Sequence, residues 1–232
     1  MKVKLLRHTT DPELLCGAAA LTSTKIGRPS EILENIDSET AKRIIKRVTG
    51  YEHVSVIEHA SFTFSIEGVS RTMTHQLVRH RVASYTQQSQ RYVTYDTPEK
   101  YVTPPSITKN TRVKEIFDDA LEKISETYQK LLKAGIPKED ARFILPNAAK
   151  TNIIVTMNAR ELQHFCNLRC CARAQWEIRE VATEMLKQAK KAAPALFENA
   201  GPACILRGYC AEGKMKPPEC NIEELRKRFR NL

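Results

Sequence analysis

Residues 76–92 read Gln76-Leu77-Val78-Arg79-His80-Arg81-Val82-Ala83-Ser84-Tyr85-Thr86-Gln87-Gln88-Ser89-Gln90-Arg91-Tyr92. Three arginines, a histidine, four glutamines, two serines, a threonine and two tyrosines occur here with no acidic residue, so every charge in the segment is positive. Such side chains suit a phosphate and the edge of a planar heterocycle. A helix over Thr72 to Arg81 would put Gln76, Arg79 and His80 on one face, because side chains three and four apart are neighbours. An extended chain after it would place Gln87, Ser89 and Arg91 on one face by the period of two. A helical face and a strand face of anion-binding groups from one short segment predict a phosphorylated ligand. The plain alternative is a solvated basic patch with a polar turn, and an isolated Arg-His-Arg would be read that way.

The longer string is more specific. It resembles the RHRxxSxxxxSxR motif of the flavin-dependent thymidylate synthases, with the fixed positions met by Arg79, His80, Arg81, Ser84, Ser89 and Arg91. The resemblance implies that Arg79, His80 and Arg81 hold FAD, partly through its phosphates. It also implies that Gln76, Arg79, Ser89, the backbone at Gln90, and Arg91 hold the phosphate and base of a nucleotide. Gln87 stands where some members carry Glu, and would touch both cofactor and nucleotide.

Further segments extend the likeness over about Tyr51 to Glu177, in three separated blocks in the family's order. Glu139-Asp140-Ala141-Arg142-Phe143-Ile144-Leu145-Pro146 is similar to a family segment whose arginine reaches the nucleotide. Read locally, Arg142 is a helical surface residue paired with Glu139. Asn158-Ala159-Arg160, with His164, Asn167 and Arg169, is similar to the downstream motif. By that match Asn158, Arg160 and His164 touch the flavin and Arg169 the uracil ring; the local alternative makes Asn158 a helix cap and Arg160 a surface residue. His53-Val54-Ser55-Val56-Ile57-Glu58-His59 resembles the family's HxxxxEH stretch, so that Ser55 contacts the cofactor and His53 borders the active site. A metal site from His53, Glu58, His59 and His75 lacks the helical i, i+4 pairing of HExxH and ranks below these readings.

At 232 residues the chain has room for a substantial core, as one large domain or two small ones. A hydrophobic content of 41% with 28% charged residues is that of an ordinary globular protein. No apolar run approaches the roughly 18 residues that span a bilayer, and Met1 to His8 is too short and too charged for a signal peptide. A cytoplasmic protein without membrane contact is expected. Seven cysteines, an odd number without CxxC, suit reduced thiols. Cys204, Cys210 and Cys220 lack zinc-site spacing, and a structural metal there would need a fourth ligand from elsewhere. The net charge of +10 predicts anionic partners. Nucleic acid is one candidate. Against a nucleic-acid-binding module, aromatics are only 6% and the basic residues are spread along the chain.

Periodicity supplies the elements. Val3 and Leu5 open a strand, and Asp11-Pro12 starts a helix to about Thr22, with Asp as N-cap. Short helices follow at Glu31–Asn35 and Glu39–Thr49, stopped by Gly50, then an irregular stretch over Tyr51–Glu58. Ser61–Glu67 alternates as a half-buried strand. Arg91-Tyr92-Val93 reads as a strand end, and Pro98, Pro104 and Pro105 mark a loop from about Asp96 to Lys109. Apolar spacing predicts a helix over Thr111–Lys133, closed by Gly135 and Pro137, and a short one from Lys138 to Pro146. Asn152–Met157 reads as a buried strand, and Asn158 to Glu161 as a capping box opening a helix to about Cys171. Ile178, Val181, Ala182, Met185, Leu186 and Ala189 form the stripe of a last long helix ending near Pro194. A weak helix at Glu223–Phe229 ends a basic tail. The absence of a βαβ rhythm points to an α+β single domain over 1–232, with a mainly antiparallel sheet flanked by helices. The tail from about residue 198 is the least defined part.

The family implies reductive methylation of dUMP to dTMP, with 5,10-methylenetetrahydrofolate as carbon donor and NADPH reducing FAD. C5 of uracil is a poor nucleophile, and the usual thymidylate synthase activates it by adding a cysteine at C6. The central motif contains no cysteine, so charge stabilisation has more to do, and Arg169 is the candidate catalytic residue: a permanent cation beside N3 and O2. Ser89 lacks a base nearby in sequence and serves better as a phosphate ligand; Cys170 or Cys171 as nucleophile stays open. No GxGxxG occurs, so FAD would not sit in a Rossmann domain. A chain of this size would not enclose three ligands alone, which fits the family's homotetramer with sites shared between subunits.

Overall fold

The structure, a computed structural model, describes residues 1–94, 100–218 and 220–232. The loop expected from about 96 to 109 falls partly on residues 95–99, outside the described residues, and its later part is corrected by a short helix at Pro105–Thr108. Four strands, β1 (Lys2–His8), β2 (Ser61–Ser70), β3 (Ala83–Gln87) and β4 (Lys150–Asn158), form one antiparallel sheet in the order β1-β2-β4-β3. The α+β reading is therefore correct. In β2, Phe62, Phe64 and Ile66 are fully buried and their neighbours half-exposed, as the alternation requires. β4 alternates too. Ile153, Val155 and Met157 are buried while Ile154 is 44% exposed, so the fully buried strand expected there is corrected to a half-buried one.

The helices follow their caps and stripes. They are α1 (Pro12–Thr22), α2 (Pro29–Asn35), α3 (Ser38–Gly50), α4 (Arg71–Leu77), α5 (Pro105–Thr108) and α6 (Thr111–Lys133). After them come α7 (Lys138–Ala141), α8 (Ala159–Arg169), α9 (Trp176–Ala192), α10 (Pro194–Phe197), α11 (Cys204–Arg207) and α12 (Ile222–Arg230). Pro12 opens α1 as expected, but Asp11 is left-handed at φ 43° and its side chain makes no cap. Asp is one of the few residues that tolerates this region, and here its carbonyl accepts from Leu15 N. α6 is capped by Asn110, which accepts from Val113 N. It closes at Gly135, φ 84°, with Ile136 N bonded to Leu131 O and Gly135 N to Leu132 O, the paired bonds of a Schellman turn. In α9 all six expected stripe residues are fully buried.

Two expectations about the central segment are corrected. α4, capped by Ser70, stops at Leu77 instead of running to Arg81. Its last turn tightens, Arg79 N bonding back only three residues to Gln76 O, and the chain leaves toward β3. Gln76, Arg79 and His80 therefore do not share a helical face. β3 ends at Gln87, and Tyr92 N and Val93 N both return to Ser89 O. Ser89 Oγ accepts from Arg91 N, a side-chain turn that competes with strand continuation, so residues 89–93 are a turn and not a strand end. Gln87, Ser89 and Arg91 accordingly share no strand face. The stretch expected to be irregular contains a 3-10 turn, Val54–His59.

Contacts divide the chain into two compact units. One comprises residues 1–2, 66–79 and 86–153, the other residues 3–65, 80–85 and 154–232.

Candidate active site

In the larger unit the site is built on α8. Asn158 caps it by accepting from Glu161 N at 2.8 Å, and Ala159 N bonds to Ala60 O. Glu161, Phe165 and Arg169 are spaced by four, so they form one stripe along the helix, and all three meet His80. Arg169 Nε donates to His80 Nε2 at 3.1 Å. Glu161 Oε1 lies 3.4 Å from His80 Nδ1, and the Phe165 ring is edge-on with centroids 4.9 Å apart. Tyr85 Oη donates to the backbone carbonyl of His80 at 2.8 Å, tying the segment back on itself. His80 is only 5% exposed. Burial, then the Arg169 charge and the neighbouring His164, push its pKa down to about 4. These outweigh the nearby Glu161, so the ring is neutral at pH 7. Because Nε2 accepts from Arg169, the ring proton sits on Nδ1, facing Glu161. Burial raises the Glu161 carboxyl above its usual range, and burial followed by Glu161 raises the Tyr85 hydroxyl.

The larger unit also carries the other residues expected at the flavin, except Arg79 and Gln87, which belong to the smaller one. The 3-10 turn packs on α8 and carries exposed Ser55, with exposed His53 just before it. Glu58 of the same turn pairs with Arg160 at the start of α8. His164 and Arg81 are exposed and Asn158 half-buried. The Glu161 side chain turns to His80 rather than completing the capping box. A cavity of about 520 Å³ is lined by His164, Arg169, Cys171 and the tail cysteines Cys204, Cys210 and Cys220. The tail, which offered no motif, thus borders α8. Among the described residues no group of three or more His, Cys, Asp or Glu is placed to hold a metal ion.

The smaller unit carries the residues expected at the nucleotide, except Arg169. Gln87 Nε2 donates to Thr74 Oγ1 at 2.9 Å and Thr151 Oγ1 at 3.3 Å, so the amide is held by two hydroxyls across α4 and β4. Arg91 forms an ion pair with Glu139, Nη2 to Oε2 at 2.8 Å, while Arg142 Nε donates to Glu139 O at 3.0 Å. Glu139 therefore ties Arg91 and Arg142 together, and the expected side-chain pairing of Arg142 with Glu139 becomes a bond to its carbonyl. Ser89, Gln90 and Arg91 lie on one turn, with Ser89 and Gln90 half-buried, and Gln76 is half-buried on α4. Arg79 is exposed and, among the described residues, has no carboxylate partner; the same holds for Arg81 in the larger unit. Guanidinium groups not neutralised by carboxylates, accompanied by amide and hydroxyl groups, are the donor set that a dinucleotide's phosphates and a flavin's ring edge call for. The residues present fit FAD.

An antiparallel α+β fold with exposed arginines that lack carboxylate partners among the described residues, and a sequence with no glycine-rich phosphate loop, suits a protein that takes a phosphorylated ligand outside a Rossmann domain. Comparison with known proteins narrows the class. The family model for thymidylate synthase complementing protein matches residues 4–195. Flavin-dependent thymidylate synthase of Geobacter sulfurreducens is 50% identical over 217 residues, covering 93% of each chain. That of Pyrococcus abyssi is 46% identical, covering 100% of this chain and 98% of its own. The crystal structure of a UMP/dUMP methylase from Streptomyces cacaoi, bound with 5-Br dUMP, superposes with a TM-score of 0.71 at 27% identity, over 85% of this chain and 93% of that one. The chain belongs to the flavin-dependent thymidylate synthase family. The alternative of a non-catalytic nucleic-acid-binding module finds no support in these relatives.

Proposed function

We propose that this chain catalyses the FAD-dependent reductive methylation of dUMP to dTMP, with 5,10-methylenetetrahydrofolate as carbon donor and NADPH as reductant. The observation that carries the reading, beyond family membership, is the anchoring of Arg169 on a neutral histidine. Ser89, the backbone at Gln90, Arg91 and Arg142 bind the phosphate of dUMP, with Arg79, while Gln76 and Gln87 address the nucleoside. Glu139, by holding Arg91 and Arg142, keeps two of those cations in register. Arg169 places its permanent charge beside O2 and N3 of the uracil, where negative charge develops as C5 attacks the one-carbon unit. A neutral His80 leaves that charge undiminished; a protonated one would repel it. Ser55, Arg79, His80, Arg81, Gln87, Asn158, Arg160 and His164 form the flavin-binding group, and His53 borders the site. FAD, reduced by NADPH, supplies the hydride.

The working assembly is a homotetramer with sites shared between subunits, acting in the cytoplasm. Exposed apolar residues in the smaller unit, Val113 at 42%, Ile116 at 64% and Phe143 at 83%, support burial against another copy. Among the described residues no helix is long and apolar enough to cross a membrane.

The test is anaerobic. The flavin spectrum of the purified protein is bleached with NADPH, and dUMP and methylenetetrahydrofolate are then added singly and together. Reoxidation that requires both, with dTMP formed, is the expected result. A flavin that bleaches and never passes its electrons on would overturn the assigned substrates, and failure to bind added FAD would overturn the cofactor.

A further inference from the structure

We infer that Glu161 is a positioning residue for Arg169, acting through His80; the inference rests on the role proposed above for Arg169. The three groups lie in line, Glu161 Oε1 at 3.4 Å from Nδ1 and Arg169 Nε at 3.1 Å from Nε2 of one buried imidazole. A neutral imidazole has one donor and one acceptor nitrogen, and which is which follows from the group each faces. Arg169 can only donate, so it needs Nε2 unprotonated. Glu161 supplies the acceptor on the opposite side that keeps the proton on Nδ1. With that acceptor removed, the proton is free to move to Nε2, where two donors face each other and the bond from Arg169 to the ring is lost. The helix explains why the arrangement is rigid: Glu161 and Arg169 are two turns apart on α8, with Phe165 between them against the ring. Glu161 is itself buried, 9% exposed, and its backbone N–H is held by the Asn158 cap. A surface glutamate at the third helical position would serve the cap alone; this one is turned inward.

The experiment compares the FAD-loaded full-length protein with Glu161→Ala, Glu161→Gln and Arg169→Ala. Steady-state dTMP formation is measured alongside nitrogen-15 spectra of the histidine rings, with His80→Asn assigning the His80 signals. Glu161→Ala should lower kcat by roughly 10- to 100-fold, the scale of a misplaced catalytic group. KM for dUMP should stay within about threefold, since the phosphate ligands are untouched. The ring spectrum should change from Nδ1-protonated to a mixture. Glu161→Gln, which keeps an accepting oxygen, should restore most of the rate. Glu161→Ala retaining kcat within about twofold while Arg169→Ala is inactive would overturn the inference and leave the reading of Arg169 intact. Activity retained by Arg169→Ala would overturn both. Where Glu161→Ala does not fold, the wild-type spectrum decides: an unprotonated Nδ1 would sink the proposal.

Discussion

A buried neutral histidine is a liability in acid. The His80 pKa falls from the ordinary 6.5 to about 4 in the fold, so between these values the unfolded chain takes up a proton that the folded chain refuses. Stability from this group is therefore complete above pH 6.5 and drains away as pH falls toward 4, by about 3 kcal/mol in all. Glu161 works in the opposite sense. Its raised pKa lets the folded chain protonate first as pH falls, which offsets part of the loss. The melting temperature should consequently drop between pH 7 and 5 in the wild type, and the drop should shrink in His80→Asn; an equal slope in both proteins would show that other groups dominate. At this scale the sequence was legible in identity and not in orientation. Arg-His-Arg marked a site, yet the three neighbours diverge: Arg79 and Arg81 are exposed, while His80 is buried against α8. Nothing local distinguishes the middle residue, because its burial depends on Glu161, Phe165 and Arg169, some eighty residues on. Their spacing of four was the available signal, and it was masked by the reading of Glu161 as part of a capping box.

Among the elements, α1 packs against α3 at Gly17. A Cβ placed there would stand 2.8 Å from both Cα and Cβ of Ala41, and backbone cannot move aside as a flexible side chain would. Gly17→Ala should therefore push α1 from α3 and cost on the order of 1–3 kcal/mol, despite the better helix propensity of alanine. A lower melting temperature is the expected readout; an unchanged or higher one would mean that the two helices can separate freely. Long elements were legible because their signals are redundant. α6 combines an Asn cap, an apolar stripe and a glycine stop, and α9 carries six core residues at helical spacing. Short ones were not. The end of α4 at Leu77 is set by where the chain must turn into β3, and the turn at Ser89 by one hydroxyl accepting from Arg91 N, both invisible to a period count. Asn152–Met157 was read as a buried strand, although strand alternation turns Ile154 outward.

For the whole molecule, the decisive feature is an α6 that is apolar on more of its surface than its own chain covers. Leu121 and Tyr128 are buried, whereas Val113 and Ile116, at helical spacing on the same element, stay exposed. The stripe was correctly read as apolar, but a single sequence does not reveal whether its partner is the same chain or another copy. If α6 meets a second copy, burying this stripe contributes about 25 cal/mol per Å² removed from water. A carboxylate at Ile116 would then cost several kcal/mol of desolvation in the assembly and almost nothing in the isolated chain, where the position is 64% exposed. Ile116→Glu should thus lower the mass seen by light scattering from that of the proposed tetramer of 26.4 kDa chains to a smaller species that is still folded by circular dichroism. Because the proposed sites are shared between subunits, dTMP formation should fall with the mass and recover at protein concentrations that restore association. A variant that keeps the tetramer mass would place α6 outside the interface. A dissociated variant with full activity would show that one chain completes the site alone.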